Sequence, residues 1–222
     1  MRLPLIALAV PATLIAAQAQ ASEDTQHWET LNVTVNLPDN FKLNSETIAR
    51  TSDAKGFYEI EQNLMVGKKL NKNVTAWLGY TFNPTYNHGD FRAREHRFRQ
   101  QVNFDNVAQI GKVKLGGRVR TEERWREGQT GTGWRLRPQV KASMPFIGKS
   151  TFSLSHESFI NLNTTSFQTV SGYDRMRNTA AFSVPASRRL GVEIGYTNQR
   201  AIVRGGPDST DHVLVTSLNA TF

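Results

Sequence analysis

His156 and Ser158 stand two residues apart, on the same face of an alternating segment as Leu154, Ile160 and Leu162. A histidine beside a serine can begin acyl transfer, the imidazole taking the hydroxyl proton as the oxygen attacks an ester carbonyl. A complete site also needs a group that orients the imidazole and donors for the oxyanion. The sequence assigns neither, and Glu157 points to the other face. Glu59 and Glu61 also share a face, a spacing that suits paired carboxylates in acid–base work, though an ionic network offers them more partners.

The larger constellation is ionic. Glu59, Glu61, Glu95, Glu122, Glu157 and Glu193 fall on the polar faces of successive segments with Arg97, Arg99, Arg118, Arg120, Arg124, Arg135, Arg137, Lys141, Arg175 and Arg177. Enclosed together, such groups must pair, and the planar fork of arginine can bridge carboxylates on neighbouring strands. The network would fill a narrow barrel and fix its register. The surplus of cations also suits an anion-preferring channel, or a site for a phosphorylated or carboxylated solute. Metal and cofactor chemistry is not expected: there is no Cys, His27, His88, His96, His156 and His212 have no zinc-like spacing, and Gly116-Gly117 and Gly205-Gly206 do not form phosphate loops.

The elements that position these residues are strands. Period-2 alternation runs through 28–37, 41–52, 56–67, 73–84, 91–105, 112–125, 133–146, 151–163, 173–185, 189–203 and 211–222, with no convincing helical period. On 112–125, Val113, Leu115, Gly117, Val119 and Trp125 oppose Lys114, Arg118, Arg120, Glu122 and Arg124. On 133–146, Trp134, Leu136, Val140, Ala142, Met144 and Phe146 oppose Arg135, Arg137, Gln139 and Lys141, and 91–105 behaves likewise.

Period alone cannot say which face is inside. A soluble barrel would bury the apolar face; an outer-membrane barrel would turn it to lipid. Three features favour the membrane: Trp77, Tyr80, Phe82, Trp125 and Trp134 near strand ends, an N-terminal export signal, and Phe222 closing the last strand on the face of Leu214, Leu218 and Ala220; compact connections alternating with longer ones are an independent check. The expectation is an all-β, antiparallel up-and-down transmembrane β-barrel. Because a bacterial barrel with both ends in the periplasm needs an even strand number, ten full strands are expected, with twelve the alternative.

The N-terminus agrees with export. Met1-Arg2 precedes an apolar run to Ala17, and Ala19-Gln20-Ala21 fits the small-x-small cleavage rule, so residues 1–21 read as a signal peptide and 22–222 as one barrel domain. The net charge of +8 would otherwise suggest nucleic acid. Export argues against that and for lipid and lipopolysaccharide phosphates as the anionic partners. The strand ending at Phe222 would engage the barrel assembly machinery of the bacterial outer membrane, and a monomer is expected.

Glu95-His96-Arg97-x-x-Gln100, Gly117-Arg118-x-Arg120-x-Glu122-x-Arg124, Trp134-Arg135-x-Arg137, His156-Glu157-x-Phe159-x-Asn161, Asp174-Arg175-x-Arg177 and Glu193-x-Gly195-Tyr196-x-x-Gln199 follow one another along the chain. This succession, from Trp28 to Phe222, resembles the bacterial family called domain of unknown function 2490. The resemblance implies an outer-membrane β-barrel-like protein with no assigned activity. The His-x-Ser pair is similar to that of outer-membrane deacylases that trim lipid A, without their wider pattern. The sequence therefore predicts a charged-lumen barrel with a structural or anion-transport role. A soluble periplasmic β-barrel binding protein is the first alternative and a lipid A-modifying hydrolase the second.

Overall fold

A computed structural model describes residues 22–222; the segment read as a signal peptide, 1–21, lies outside the described residues. Eleven strands form one closed sheet: β1 (Glu23–Asn36), β2 (Phe41–Ser52), β3 (Gly56–Lys69), β4 (Val74–Asn87), β5 (Asp90–Ile110), β6 (Val113–Arg126), β7 (Gly133–Pro145), β8 (Thr151–Asn161), β9 (Gly172–Pro185), β10 (Leu190–Ala201) and β11 (Ser209–Thr221). Each strand pairs antiparallel with its successor, and β1 closes the barrel against β11. A single 3-10 turn, Pro38–Asn40, interrupts the meander, and no helix among the described residues is long and apolar enough to cross a membrane.

The strand number corrects the expectation of ten or twelve. Evenness follows only when the first and last strands run antiparallel. Here β1 and β11 are parallel, with Trp28 level with Val215 and Leu31 with Leu218, so an odd number closes without leaving an edge. The parallel seam also puts Ser22 and Phe222 at opposite rims. The Phe222 rim carries connections 37–40, 70–73, 111–112, 146–150 and 186–189; the three longest connections, 127–132, 162–171 and 202–208, lie on the other. Lys68, Lys69, Lys72, Lys112, Lys149, Arg188 and Arg189 cluster at the Phe222 rim.

Alternation assigns the faces. Val119, Val140, Ile194 and Leu214 point out and are 44%, 65%, 53% and 48% exposed, whereas Arg99 and Glu122 point in and are 0% exposed. The molecule is thus apolar outside and ionic inside, the reverse of a barrel built around a hydrophobic core. Trp77 does not join the outward aromatics. It shares the face of Thr75, Gly79, Thr81 and Asn83, and its ring fills the interior over Gly67, where an added Cβ would lie 2.5 Å from the indole. Gly116 and Gly117 serve the wall in a similar way: side chains there would meet the carbonyl oxygens of Phe104 at 2.5 Å and Gln139 at 2.2 Å. The first faces the irregularity in β5 between Phe104 and Ala108, so the missing side chain makes room for the bulged strand.

Candidate functional site

Strands β3 and β5 to β8 contribute inward charges at nearly one level, and these meet across the lumen, while β4 between them carries no charged residue. Glu61 of β3, Arg99 of β5, Glu122 of β6, Arg137 of β7 and Glu157 of β8 form an alternating ribbon. Its links are Arg99–Glu61 at 2.6 Å, Arg99–Glu122 at 3.2 Å, Arg137–Glu122 at 2.8 Å and Arg137–Glu157 at 3.1 Å. Further arginines converge on these carboxylates and on Glu95. Arg97 reaches Glu61 at 3.0 Å and Glu95 at 2.6 Å, Arg135 reaches Glu122 at 2.5 Å, and Arg118 reaches Glu157 at 2.7 Å. Arg124 holds both oxygens of Glu95 at 2.9 Å, the bidentate geometry for which guanidinium is suited. Arg120 donates to Gln101 at 2.6 Å and lies 3.9 Å from Glu122.

The remaining expected residues sit at the margins of this layer. Glu59 pairs with Arg50 rather than acting with Glu61 as a carboxylate couple. Arg175 comes only within 3.9 Å of Asp174, and Arg177 donates to Gln199 at 2.6 Å, with no carboxylate in pairing distance among the described residues. Glu193 accepts from Ser183 at 2.5 Å and meets no arginine among the described residues, and Lys141 is exposed beside the cavity nearer the Phe222 rim.

Sequence reasoning missed several partners. Arg50 shares the inward parity of Asn44 and Glu46 on β2, which was the available signal. Asn63 is 0% exposed and bridges the network, donating to Glu61 at 3.1 Å and Glu46 at 2.8 Å while Arg99 donates to its carbonyl. Two inward aromatics stack on guanidiniums of the layer: Arg177 lies 4.5 Å from the Trp28 ring and 4.7 Å from Phe159, and Arg137, already paired with Glu122 and Glu157, lies 4.2 Å from Phe159.

Cavities flank the layer on both sides. A 770 Å³ cavity opens toward the Ser22 rim, and a 330 Å³ cavity lies toward the Phe222 rim, with no residue lining both. Between them is a 160 Å³ space, bordered by Trp28, Arg50 and Arg177 on one side and Gln139 on the other.

Glu95, Arg97, Arg118, Arg120, Glu122, Arg124, Arg135, Arg137 and Glu157 of the layer belong to the motif succession along the sequence, whereas Glu61 and Arg99 lie outside it. The profile of a family described as a protein of unknown function, DUF2490, matches residues 25–210. The chain belongs to the DUF2490 family. An uncharacterised protein of Methylorubrum extorquens is 30% identical over 225 residues, an alignment covering 98% of this chain and 96% of that one. No solved structure matches.

On the outer wall of this DUF2490 barrel, His156 and Ser158 lie on β8 as their parity requires, with His156 Nε2 3.1 Å from Ser158 Oγ. The group that orients the imidazole, which the sequence did not reveal, is Asn178 on β9: its Oδ1 is 2.7 Å from His156 Nδ1. Asn178 is the cross-strand partner of His156, and finding it requires the β8–β9 register, which is shifted by an irregularity between Phe159 and Ile160. Other outward histidines pair with hydroxyls: His96 with Tyr80 at 2.5 Å, His212 with Tyr196 at 2.6 Å and His27 with Thr216 at 3.1 Å.

Proposed function

We propose that this DUF2490 protein is a monomeric outer-membrane β-barrel whose lumen is closed by its own ion-pair layer, so that its role is structural or is exercised at its surfaces and not as an open pore. The observation that carries this reading is the inversion of polarity: aliphatic side chains are exposed around the wall while Arg99 and Glu122 are wholly enclosed. In water that wall would be an aggregation surface; in hydrocarbon it is the favourable one. Closure supports the same reading, since a sheet without an edge satisfies every ladder hydrogen bond internally, as lipid demands.

In this reading residues 1–21 are the removed export signal, and the β11 strand ending at Phe222 is the segment offered to the barrel assembly machinery. The rim with short connections faces the periplasm, its lysines and arginines near inner-leaflet lipid phosphates, and the longer connections face lipopolysaccharide. Reconstituted into a planar bilayer with asymmetric salt, the purified barrel should give no steady current. A sustained anion-selective current would overturn the closed lumen.

A second reading, capture or passage of a phosphorylated or carboxylated solute, is favoured by one specific feature. The 770 Å³ cavity is lined by Arg177, which has no carboxylate in pairing distance among the described residues, and by Arg175, which comes only within 3.9 Å of Asp174, over the aromatic floor of Trp28 and Phe159.

A further inference from the structure

We propose that Ser158, His156 and Asn178 form a hydrolytic triad on the lipid-facing wall, acting on the acyl ester of a membrane amphiphile. The proposal rests on the outer-membrane reading above, because only there does this face meet lipid.

Three observations support it. First, the geometry is that of nucleophile, base and orienter: Ser158 Oγ to His156 Nε2 is 3.1 Å, and His156 Nδ1 to Asn178 Oδ1 is 2.7 Å. The amide oxygen can only accept, so the proton sits on Nδ1 and leaves Nε2 as the base facing the serine. The same roles recur on unrelated folds with aspartate or asparagine as the third member. Secondly, Tyr173 OH lies 3.0 Å from Ser158 Oγ. With the serine proton directed at His156, the tyrosine donates, and it is placed to donate to an oxygen that becomes negative beside the serine. Thirdly, a 670 Å³ trough runs beside His156, bordered by Leu115, Val140, Ala142, Leu154 and Ala180. Ala142 and Ala180 are the cross-strand neighbours of Leu154, and their short side chains leave space for an acyl chain along the wall with its ester near His156.

A cluster of polar side chains on a lipid-facing wall carries a cost in hydrocarbon that packing alone does not require. The Tyr–His pairs elsewhere on the wall have the ordinary explanation of interfacial anchoring. His156 differs in having both ring nitrogens in hydrogen bonds and in bordering a cavity; among the described residues no other outward histidine does both.

The chemistry closes with water as the only co-reactant. Ser158 Oγ bonds to the ester carbonyl carbon as its proton passes to His156 Nε2. The carbon–oxygen bond to the alcohol then breaks, and the alcohol leaves with that proton. Water attacks the acyl-serine and gives a proton to Nε2. The fatty acid departs, and the proton returns to Ser158. Ester cleavage is hydrolysis throughout, with no net oxidation or reduction.

The full-length protein in detergent should be treated with an alkyl fluorophosphonate and mapped by mass spectrometry. In parallel, fatty-acid release should be measured from mixed micelles of diacyl phosphatidylethanolamine and, separately, of lipid A. The expected result is a single adduct on Ser158, absent in His156→Ala, with release from one of the two lipids that falls at least ~1000-fold in Ser158→Ala. Tyr173→Phe should lower kcat by about 100-fold or more. Asn178→Ala should lower kcat with KM unchanged, and Asn178→Asp should restore it, a rescue that a merely structural amide would not give. The two lipid arms tell a phospholipid ester from a lipid A ester. Wild-type protein that shifts on a gel only after boiling, yet shows no Ser158 adduct and no release from either lipid, would overturn the triad and leave the membrane reading standing. Protein that shows no such heat-dependent shift would overturn both.

Discussion

Glu122→Gln should lower the unfolding free energy of the barrel by about 3–5 kcal/mol, read as a fall in the urea midpoint in detergent micelles at unchanged m. The carboxylate is 0% exposed and takes Arg99 at 3.2 Å, Arg135 at 2.5 Å and Arg137 at 2.8 Å. Glutamine keeps the shape and removes the charge, so those guanidiniums are left enclosed around a neutral group. Pairing one fewer carboxylate with the same arginines is costly because the layer already carries more cations than anions. A second substitution, Arg137→Met in the Glu122→Gln background, should recover part of the loss, since it removes one of the stranded charges. A change below about 0.5 kcal/mol for Glu122→Gln would mean that the lumen is wetter and less coupled than the distances imply.

Val119→Arg should cost about 2–4 kcal/mol in a phospholipid bilayer if the proposed membrane reading holds, because the residue lies in the middle of β6 on the outward face, which that reading puts in hydrocarbon. The same side chain is 44% exposed, so a barrel surrounded by water would accept arginine there within about 0.5 kcal/mol. The two environments therefore give answers that do not overlap. The comparison is made by urea titration of the variant and parent folded into liposomes.

Much of the wall was legible because alternation is a local property. Val119 against Arg118 and Arg120, or Val140 against Gln139 and Lys141, can be assigned from adjacent residues, and the structure turns them as expected. Whatever depended on pairing between distant segments was not legible. The strand number failed through an assumption about how β1 and β11 meet, which is a contact between the two ends of the chain with no local signature. The aromatic character of Trp77 suits an outer girdle, but its parity with Thr75 and Thr81 points inward, and parity decides. Asn178 could be joined to His156 only by a register that passes an irregularity in the β8–β9 ladder. Arg50 is hard to read as an inward charge because β2 alternates weakly, with Ile48 on the same inward face as Glu46.

Because the chain contains no cysteine, each introduced thiol is the single labelling site. A bimane fluorophore on cysteine at Val119, Ile194 or Leu214, in liposomes containing lipids brominated along the acyl chain, reports contact with hydrocarbon directly. The inward positions Gln139, Thr197 and Ser217 provide the opposite parity. An apolar wall in lipid around an ionic lumen requires strong quenching at the first three positions and none above background at the second three. Equal quenching in both sets, or no quenching in either, would contradict it.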